Sequence, residues 1–198
     1  VLPENNAALR VAGIEVIPQI LTRRAEEFVW AVKELTAAGY EEVNLNLGCP
    51  APTVVNKGKG AGFLKDPDDL DEFLNAVFEA LHDAEVRISL KTRIGMYAAE
   101  EMDGLMKVYN RYPVSELIIH PRVRQDFYRN HADLEAFGRA FAQSRIPVVY
   151  NGDITTPEIA CALTERFPEL QAVMIGRGLV ANPALVREIT VGKPLTQA

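Results

Sequence analysis

The chain has 198 residues, of which 48% are hydrophobic and 24% charged, the balance of one globular domain with a sizeable core or of a piece of a larger one. A net charge of −6 argues against a general nucleic-acid binder, although one face can differ in sign from the whole. No apolar run approaches the roughly 20 residues that span a bilayer, the start VLPENNAALR lacks a secretion signal's basic-then-apolar order, and a cytoplasmic setting is the default. Two cysteines, Cys49 and Cys161, make neither a disulfide framework nor a metal cluster, so no metal site is expected.

Strand-like and helical patterns alternate along the chain. Glu15–Leu21 is the first apolar run. Arg24–Ala38 then carries Phe28, Val32 and Leu35 at helical spacing, with Gly39 as a stop. The run Glu42–Leu47 follows, then Pro67–Leu81, a helix whose apolar stripe includes Leu70, Phe73, Leu74 and Val77, with Asp66 and Pro67 as N-cap and first residue. Val86–Thr92 and Glu116–His120 read as strands separated by a weaker helical stretch, Ala98–Tyr109. After a second weak helix, Asp133–Gln143, come the run Ile146–Asn151, the helix Thr156–Arg166 and the run Ala172–Gly176. The runs are short and nearly continuous in apolar residues, as in strands buried on both faces. Leu179–Ile189 is a short apolar helical segment, and nothing reads as a linker or low-complexity tract.

This alternation implies a parallel sheet with right-handed crossovers. Pattern alone does not choose between an open doubly wound sheet and a (β/α)8 TIM barrel, because six strands are read where a barrel has eight. The placement of the polar residues favours the barrel. Gln19, Asn46-Leu47-Gly48-Cys49-Pro50, Lys91-Thr92-Arg93, His120-Pro121-Arg122, Asn151-Gly152-Asp153 and Gly176-Arg177-Gly178 each end a strand. An open sheet feeds its ligand from a few strands at one switch point, whereas a barrel gathers every strand end around one mouth.

Gly176-Arg177-Gly178, before an apolar helical segment, suits an anion: glycines admit it, backbone N–H groups face it and Arg177 pairs with it. Asn151-Gly152-Asp153 adds donors one strand earlier, so the pair points to a phosphate site. The alternative is two glycine turns and a surface arginine. Cys49, between glycine and proline at a strand exit, is a candidate reactive thiol, while Cys161, beside Ile159, Ala160 and Leu163, reads as packing. Lys91, aimed into a barrel mouth, would be costly to desolvate without a partner, which makes it a candidate functional residue, against a snorkelling side chain. His120 shares its context; His82 and His131 do not, and read as structural. Lys57, Lys59, Lys65, Arg93, Arg122, Arg124 and Arg129 fall in loops after strands, while Glu26, Glu27, Asp68, Asp69, Asp71 and Glu72 fall on outer helices. That distribution suggests a positive mouth for a polyanion on an acidic body.

Asn46-Leu47-Gly48-Cys49-Pro50, Gly60-Ala61-Gly62 leading to Leu64-Lys65-Asp66-Pro67, Lys91-Thr92-Arg93-Ile94-Gly95, His120-Pro121-Arg122, Asn151-Gly152-Asp153-Ile154 and Met174-Ile175-Gly176-Arg177-Gly178 occur in this order. The set closely resembles the tRNA-dihydrouridine synthase family, from about Ile17 to about Pro183. Single motifs are shared with other flavin barrels; the ordered combination is specific. The resemblance implies one barrel domain over residues 1–198 that binds FMN across its mouth. NADPH reduces the flavin, which in turn reduces the C5–C6 bond of a uracil flipped out of tRNA. It implies Gln19 and Lys91 at the flavin ring, His120 beside the cofactor, and Asn151, Gly152, Asp153, Gly176 and Arg177 toward its phosphate. Cys49 would be the general acid that protonates C5, Asn46 would meet the uracil edge, and Arg93 and Arg122 would lie near the RNA.

Nothing at the start of the chain matches the Pro-Met pair that ends the family's first strand, and the six strands align as the third to the eighth. The family's C-terminal helical domain, which grips tRNA, also lacks a counterpart. The expectation is a barrel short of two strands, with weak or absent FMN and open edges that favour self-association. Two rival readings remain at this point. One is another FMN barrel, such as a dihydroorotate-type dehydrogenase; the other is a catalytically silent piece that needs a partner segment.

Overall fold

The computed structural model describes residues 14–191. The start read above as lacking a secretion signal lies outside them. The elements, in chain order, are β1 (Gln19–Ile20), α1 (Ala25–Ala37), β2 (Glu42–Leu47), α2 (Pro52–Val55), a 3-10 turn at Gly60–Lys65, α3 (Pro67–Ala80) and β3 (Arg87–Arg93). Then follow α4 (Glu101–Tyr109), β4 (Leu117–His120), a 3-10 turn at Arg124–Asp126, α5 (Leu134–Gln143), β5 (Val148–Tyr150), α6 (Pro157–Arg166), β6 (Ala172–Val173), α7 (Arg177–Ala181) and α8 (Leu185–Val191).

All six strands are parallel, and their order in the sheet is their order in the chain. A doubly wound sheet reverses direction once at a switch point; this one never does, so crossovers of one hand put the crossover helices on one face. That is the winding of a (β/α)8 barrel, of which the described residues form six strands. The expected edge strands, Glu15–Leu21 and Ala172–Gly176, shrink to two paired residues each, because an edge strand is hydrogen-bonded on one side only. Such short edges offer few free backbone groups to another chain, which weakens the expectation of self-association.

Register separates the two faces of the sheet. Val43, Leu45 and Leu47, Ile88 and Leu90, Leu117 and Ile119, and Val148 and Tyr150 point toward the helices and join Phe28, Leu74, Met106 and Phe137 in one apolar core. The alternate residues line the inside. On β1 to β3 that inner face is polar: Gln19 Nε2 donates to Asn44 Oδ1 (2.7 Å), and Asn44 Nδ2 donates to Ser89 Oγ (3.0 Å). On β4 and β5 it is apolar up to His120, with Ile118 and Val149. Strands β2 to β5 are therefore largely buried on both faces, as expected, with one inner half a hydrogen-bonded polar layer, whereas Gln19 on β1 and Ala172 on β6 are exposed.

Helix starts follow their sequence signals. Asp66 Oδ1 accepts from the N–H groups of Asp68 (3.1 Å) and Asp69 (3.3 Å) ahead of Pro67, and the Thr156 side chain accepts from Ile159 N–H at 3.4 Å. Helix α4 starts at Glu101 rather than Ala98, because the Glu101 carboxylate takes the N–H groups of Met96 (2.7 Å), Tyr97 (3.0 Å) and Ala98 (2.9 Å) into a turn. The segment Leu179–Ile189 divides at Pro183 into α7 and α8. Cys161 is exposed, and its thiol donates to Glu165 Oε1 at 3.4 Å. The buried stripe of α6 runs through Ala160 and Leu163, and a residue one step from Ala160 is turned about 100° away from it. The packing role read for Cys161 is thus corrected.

Candidate active site at the carboxyl ends of the strands

Seven of the eight residues expected at a cofactor line one cavity of about 530 Å³: Lys91, His120, Asn151, Gly152, Asp153, Gly176 and Arg177. They come from the ends of β3, β4 and β5 and the turn between β6 and α7. Gln19 is not on this wall; its amide is hydrogen-bonded to Asn44 and Asn46.

Lys91 is half-buried on the cavity wall, and its ammonium has no carboxylate or carbonyl partner among the described residues. Burial, with the Arg93 charge adding to it, lowers its pKa to about 8. His120 is pushed down to about 3 by burial and by the charges of Arg93, Lys91 and Arg122, so its ring is neutral at physiological pH. Asp153, with a left-handed backbone (φ 45°), ties three loops together. Its carboxylate accepts from Arg122, from Arg177 Nη2 (3.2 Å) and from Ala132 N–H (3.2 Å). Burial raises its pKa, but these hydrogen bonds and charges outweigh it and hold the carboxyl below the usual range. The same carboxylate, after burial, helps to push the Tyr150 phenol up to about 12.

The turn at Gly176–Gly178 is fixed by close packing. A Cβ on Gly178 would lie 2.0 Å from the Ile154 carbonyl oxygen, so only glycine fits where α7 meets the loop after β5. Arg177 remains exposed, and its guanidinium sits over the Tyr128 ring at 4.9 Å.

Cys49 is half-exposed and lies outside the lining of this cavity. Its loop is held from below by Asn46, whose Oδ1 accepts from the N–H groups of Gly48 (3.1 Å) and Cys49 (2.9 Å), while its Nδ2 donates to Gln19 Oε1 (2.7 Å). Both ends of the Asn46 amide are engaged, so in this geometry it shapes the thiol loop instead of facing a base. From the other side Gly60, at φ +56°, packs against the loop: a Cβ there would come within 2.9 Å of the Cys49 Cβ and carbonyl oxygen. The motif read as Gly60-Ala61-Gly62 is the backing of the Cys49 loop.

Two expected RNA contacts are corrected. Arg93 is 2% exposed, and its guanidinium donates to the carbonyls of Gly48 (2.9 Å), Val123 (3.0 Å) and Phe127 (2.8 Å). Arg122, also 2% exposed, donates to the carbonyls of Arg129 (3.0 Å) and Asn130 (2.8 Å) and to Asp153. Neither reaches solvent. A run of carbonyls on the loop after β4 accepts their protons, and so both arginines brace that loop from beneath. The basic mouth is correspondingly smaller than the count of charges suggested, and among its expected members Lys57, Lys65 and Arg129 are exposed.

The braced loop carries a residue that sequence reading missed. Tyr128, 56% exposed, lines the cavity between Arg177 and Arg93, with its ring centroid 6.4 Å from that of His120. An aromatic set between Arg124 and Arg129 was the available signal.

Comparison with known proteins agrees with this geometry. The family model described as Dihydrouridine synthase (Dus) matches residues 4–196. Among curated relatives, the chain is 35% identical over 173 residues to tRNA-dihydrouridine synthase B of Pseudomonas putida, covering 86% of this chain and 50% of that protein. It is 31% identical over 196 residues to tRNA-dihydrouridine(16) synthase of Escherichia coli K12, covering 98% and 62%. The chain thus spans about half to three fifths of the length of these relatives. Among solved structures, a variant of NCR from Zymomonas mobilis superposes with a TM-score of 0.63 at 16% identity, over 97% of this chain and 66% of that one. Morphinone reductase superposes at 0.58 and 14% identity, over 87% and 50%. At such identities these likenesses speak to the fold alone, which is that of a TIM barrel. With the family's motifs gathered at the strand ends of such a fold, the chain belongs to the dihydrouridine synthase family.

Proposed function

We propose that the cavity holds FMN and that the protein, with NADPH as reductant, converts selected uridines of tRNA to 5,6-dihydrouridine, Cys49 acting as the general acid. The observation that carries this reading is Lys91, a half-buried ammonium on the cavity wall that meets no acceptor among the described residues. Removing a cation from water without a partner is costly, so an anionic or electron-rich group belongs beside it. Arg177 and the backbone N–H groups of the Gly176–Gly178 turn suit a second anionic group on the same wall. A flavin mononucleotide has both kinds of group, a phosphate and a ring edge that gains negative charge on reduction.

FMN held beside Lys91 and Arg177 would supply the hydride chemistry that links NADPH to C6 of the uracil. Lys91 stabilises the negative charge that develops at the ring edge. Cys49 gives its proton to C5, and the thiolate left behind recovers a proton from water, so that hydride and proton together saturate the C5–C6 bond. Asn46, Gln19 and Arg93 act one step back by holding the loop that presents the thiol. Lys57, Lys65 and Arg129, exposed in loops after β2 and β4, are available to tRNA phosphates. The partner is tRNA, and the setting is the cytoplasm.

Titration of FMN against the whole protein, followed by flavin fluorescence, tests the reading. Lys91→Met should weaken binding about tenfold or more, since a hydrogen bond to a charged group contributes ~1.5–3 kcal/mol. Equal affinity in the two proteins would remove Lys91 from the site and the reading with it.

A further inference from the structure

We propose that Arg122 is a positioning residue that holds His120 in one tautomer, with the ring proton on Nδ1 and the Nε2 lone pair turned to the guanidinium. The contact between them is Arg122 Nη1 to His120 Nε2 at 3.0 Å, between groups that are both buried. A guanidinium has N–H groups only and keeps all its protons in a protein, so at this contact the imidazole nitrogen must accept. A neutral imidazole with Nε2 accepting carries its proton on Nδ1.

Arg122 cannot swing away to allow the other form. Its Nε donates to the Arg129 carbonyl (3.0 Å) and its Nη2 to the Asn130 carbonyl (2.8 Å) and to Asp153 Oδ2, so the fork is held on three sides. The doubly protonated ring is opposed as well, since it would set N–H against N–H. The charged groups facing His120 are Lys91 and Arg93 from β3, Arg122 from its own loop and Asp153 from the loop after β5, with the Tyr128 ring beside it. Three cations outnumber one carboxylate, which two arginines already engage. Burial acts in the same direction and brings the His120 pKa to about 3.

The consequence lies in the cavity. His120 offers it a neutral N–H donor on Nδ1, for which no partner is found among the described residues, and adds no second charge beside Lys91. The use of that donor toward a ring acceptor of a bound flavin rests on the reading of the cavity given above; the tautomer itself does not.

Long-range 1H–15N correlation spectra of the chain labelled with 15N-histidine read the tautomer directly, without cofactor, and His120→Gln assigns the signal. The expected result is a protonated Nδ1 and a lone-pair Nε2, unchanged between pH 5 and 8 because the ring stays neutral far below that range. Arg122→Met should make the Nε2–H form, which predominates in free histidine, the major one, whereas Arg122→Lys, which keeps a cationic donor, should retain the Nδ1–H form. A wild-type ring protonated on Nε2, or on both nitrogens at neutral pH, overturns the proposal even where Arg122→Met does not fold. So does an Arg122→Met spectrum identical to that of wild type. The expected tautomer in a whole protein that binds no FMN would count against the flavin reading alone.

Discussion

Lys91 makes a claim about pH at the scale of one residue. Its folded pKa of about 8 lies below the ordinary 10.5, so the fold disfavours the charged form. Without ligand, burial of that charge costs stability below pH 8, and the cost is relieved as pH rises from about 8 to 10.5. Binding of an anion has the opposite sign, for it needs the ammonium and should weaken above pH 8. Urea melts and FMN titrations between pH 7 and 10 should therefore move in opposite directions, and Lys91→Met should flatten both. Parallel movement, or a slope that survives the substitution, would contradict the assignment. Lys91, His120 and Arg177 were legible as strand-end residues because their type and position both point to a mouth. Arg93 and Arg122 were not, since a sequence gives a basic residue after a strand the same appearance whether it faces water or bonds to the carbonyls of a neighbouring loop. The acceptors lie 30 to 45 residues away for Arg93, a separation that no local pattern reports.

Elements with local signals came out nearly as read. Helix α3 begins at Asp66-Pro67 and buries Leu70, Phe73, Leu74 and Val77, because cap and stripe are encoded within a few residues of one another. Leu74, fully buried, should cost ~2–5 kcal/mol when changed to Ala, and loss of the Asp66 cap ~1 kcal/mol. Trp30, 66% exposed on α1, should cost ~0.5 kcal/mol or less on truncation despite its size. Urea denaturation of the three variants would check this order, and a Trp30→Ala loss as large as that of Leu74→Ala would show that α1 is packed differently. The segment Ala51–Lys65 was harder to read. Its short helix and 3-10 turn depend on contact with the Cys49 loop, notably at Gly60, and not on a periodic stripe. The paired length of β1 and β6 also escaped, because apolar composition does not report that a strand lies at an edge and is hydrogen-bonded on one side only.

For the whole molecule, alternation and converging polar strand ends implied a barrel, and sequential parallel order decides it against a doubly wound sheet. The sign of the mouth is subtler than a count of charges suggests. With Arg93 and Arg122 turned inward, the proposed function assigns the tRNA phosphate contacts to exposed residues such as Lys57, Lys65 and Arg129. Each such contact should contribute about one unit to the slope of log affinity against log salt. Lys57→Ala or Arg129→Ala should then reduce that slope, while Lys33→Ala on outer helix α1 leaves it unchanged. A slope indifferent to all three would put the RNA on another surface. The central claim, that this mouth reduces uridine with Cys49 as acid, is tested most directly by the dihydrouridine formed in tRNA by the whole protein with NADPH. The account predicts that Cys49→Ala slows formation by ~10²-fold or more while NADPH oxidation persists, and that Cys161→Ala, at an exposed helix site, matches wild type. Equal dihydrouridine formation by the two cysteine variants would contradict it.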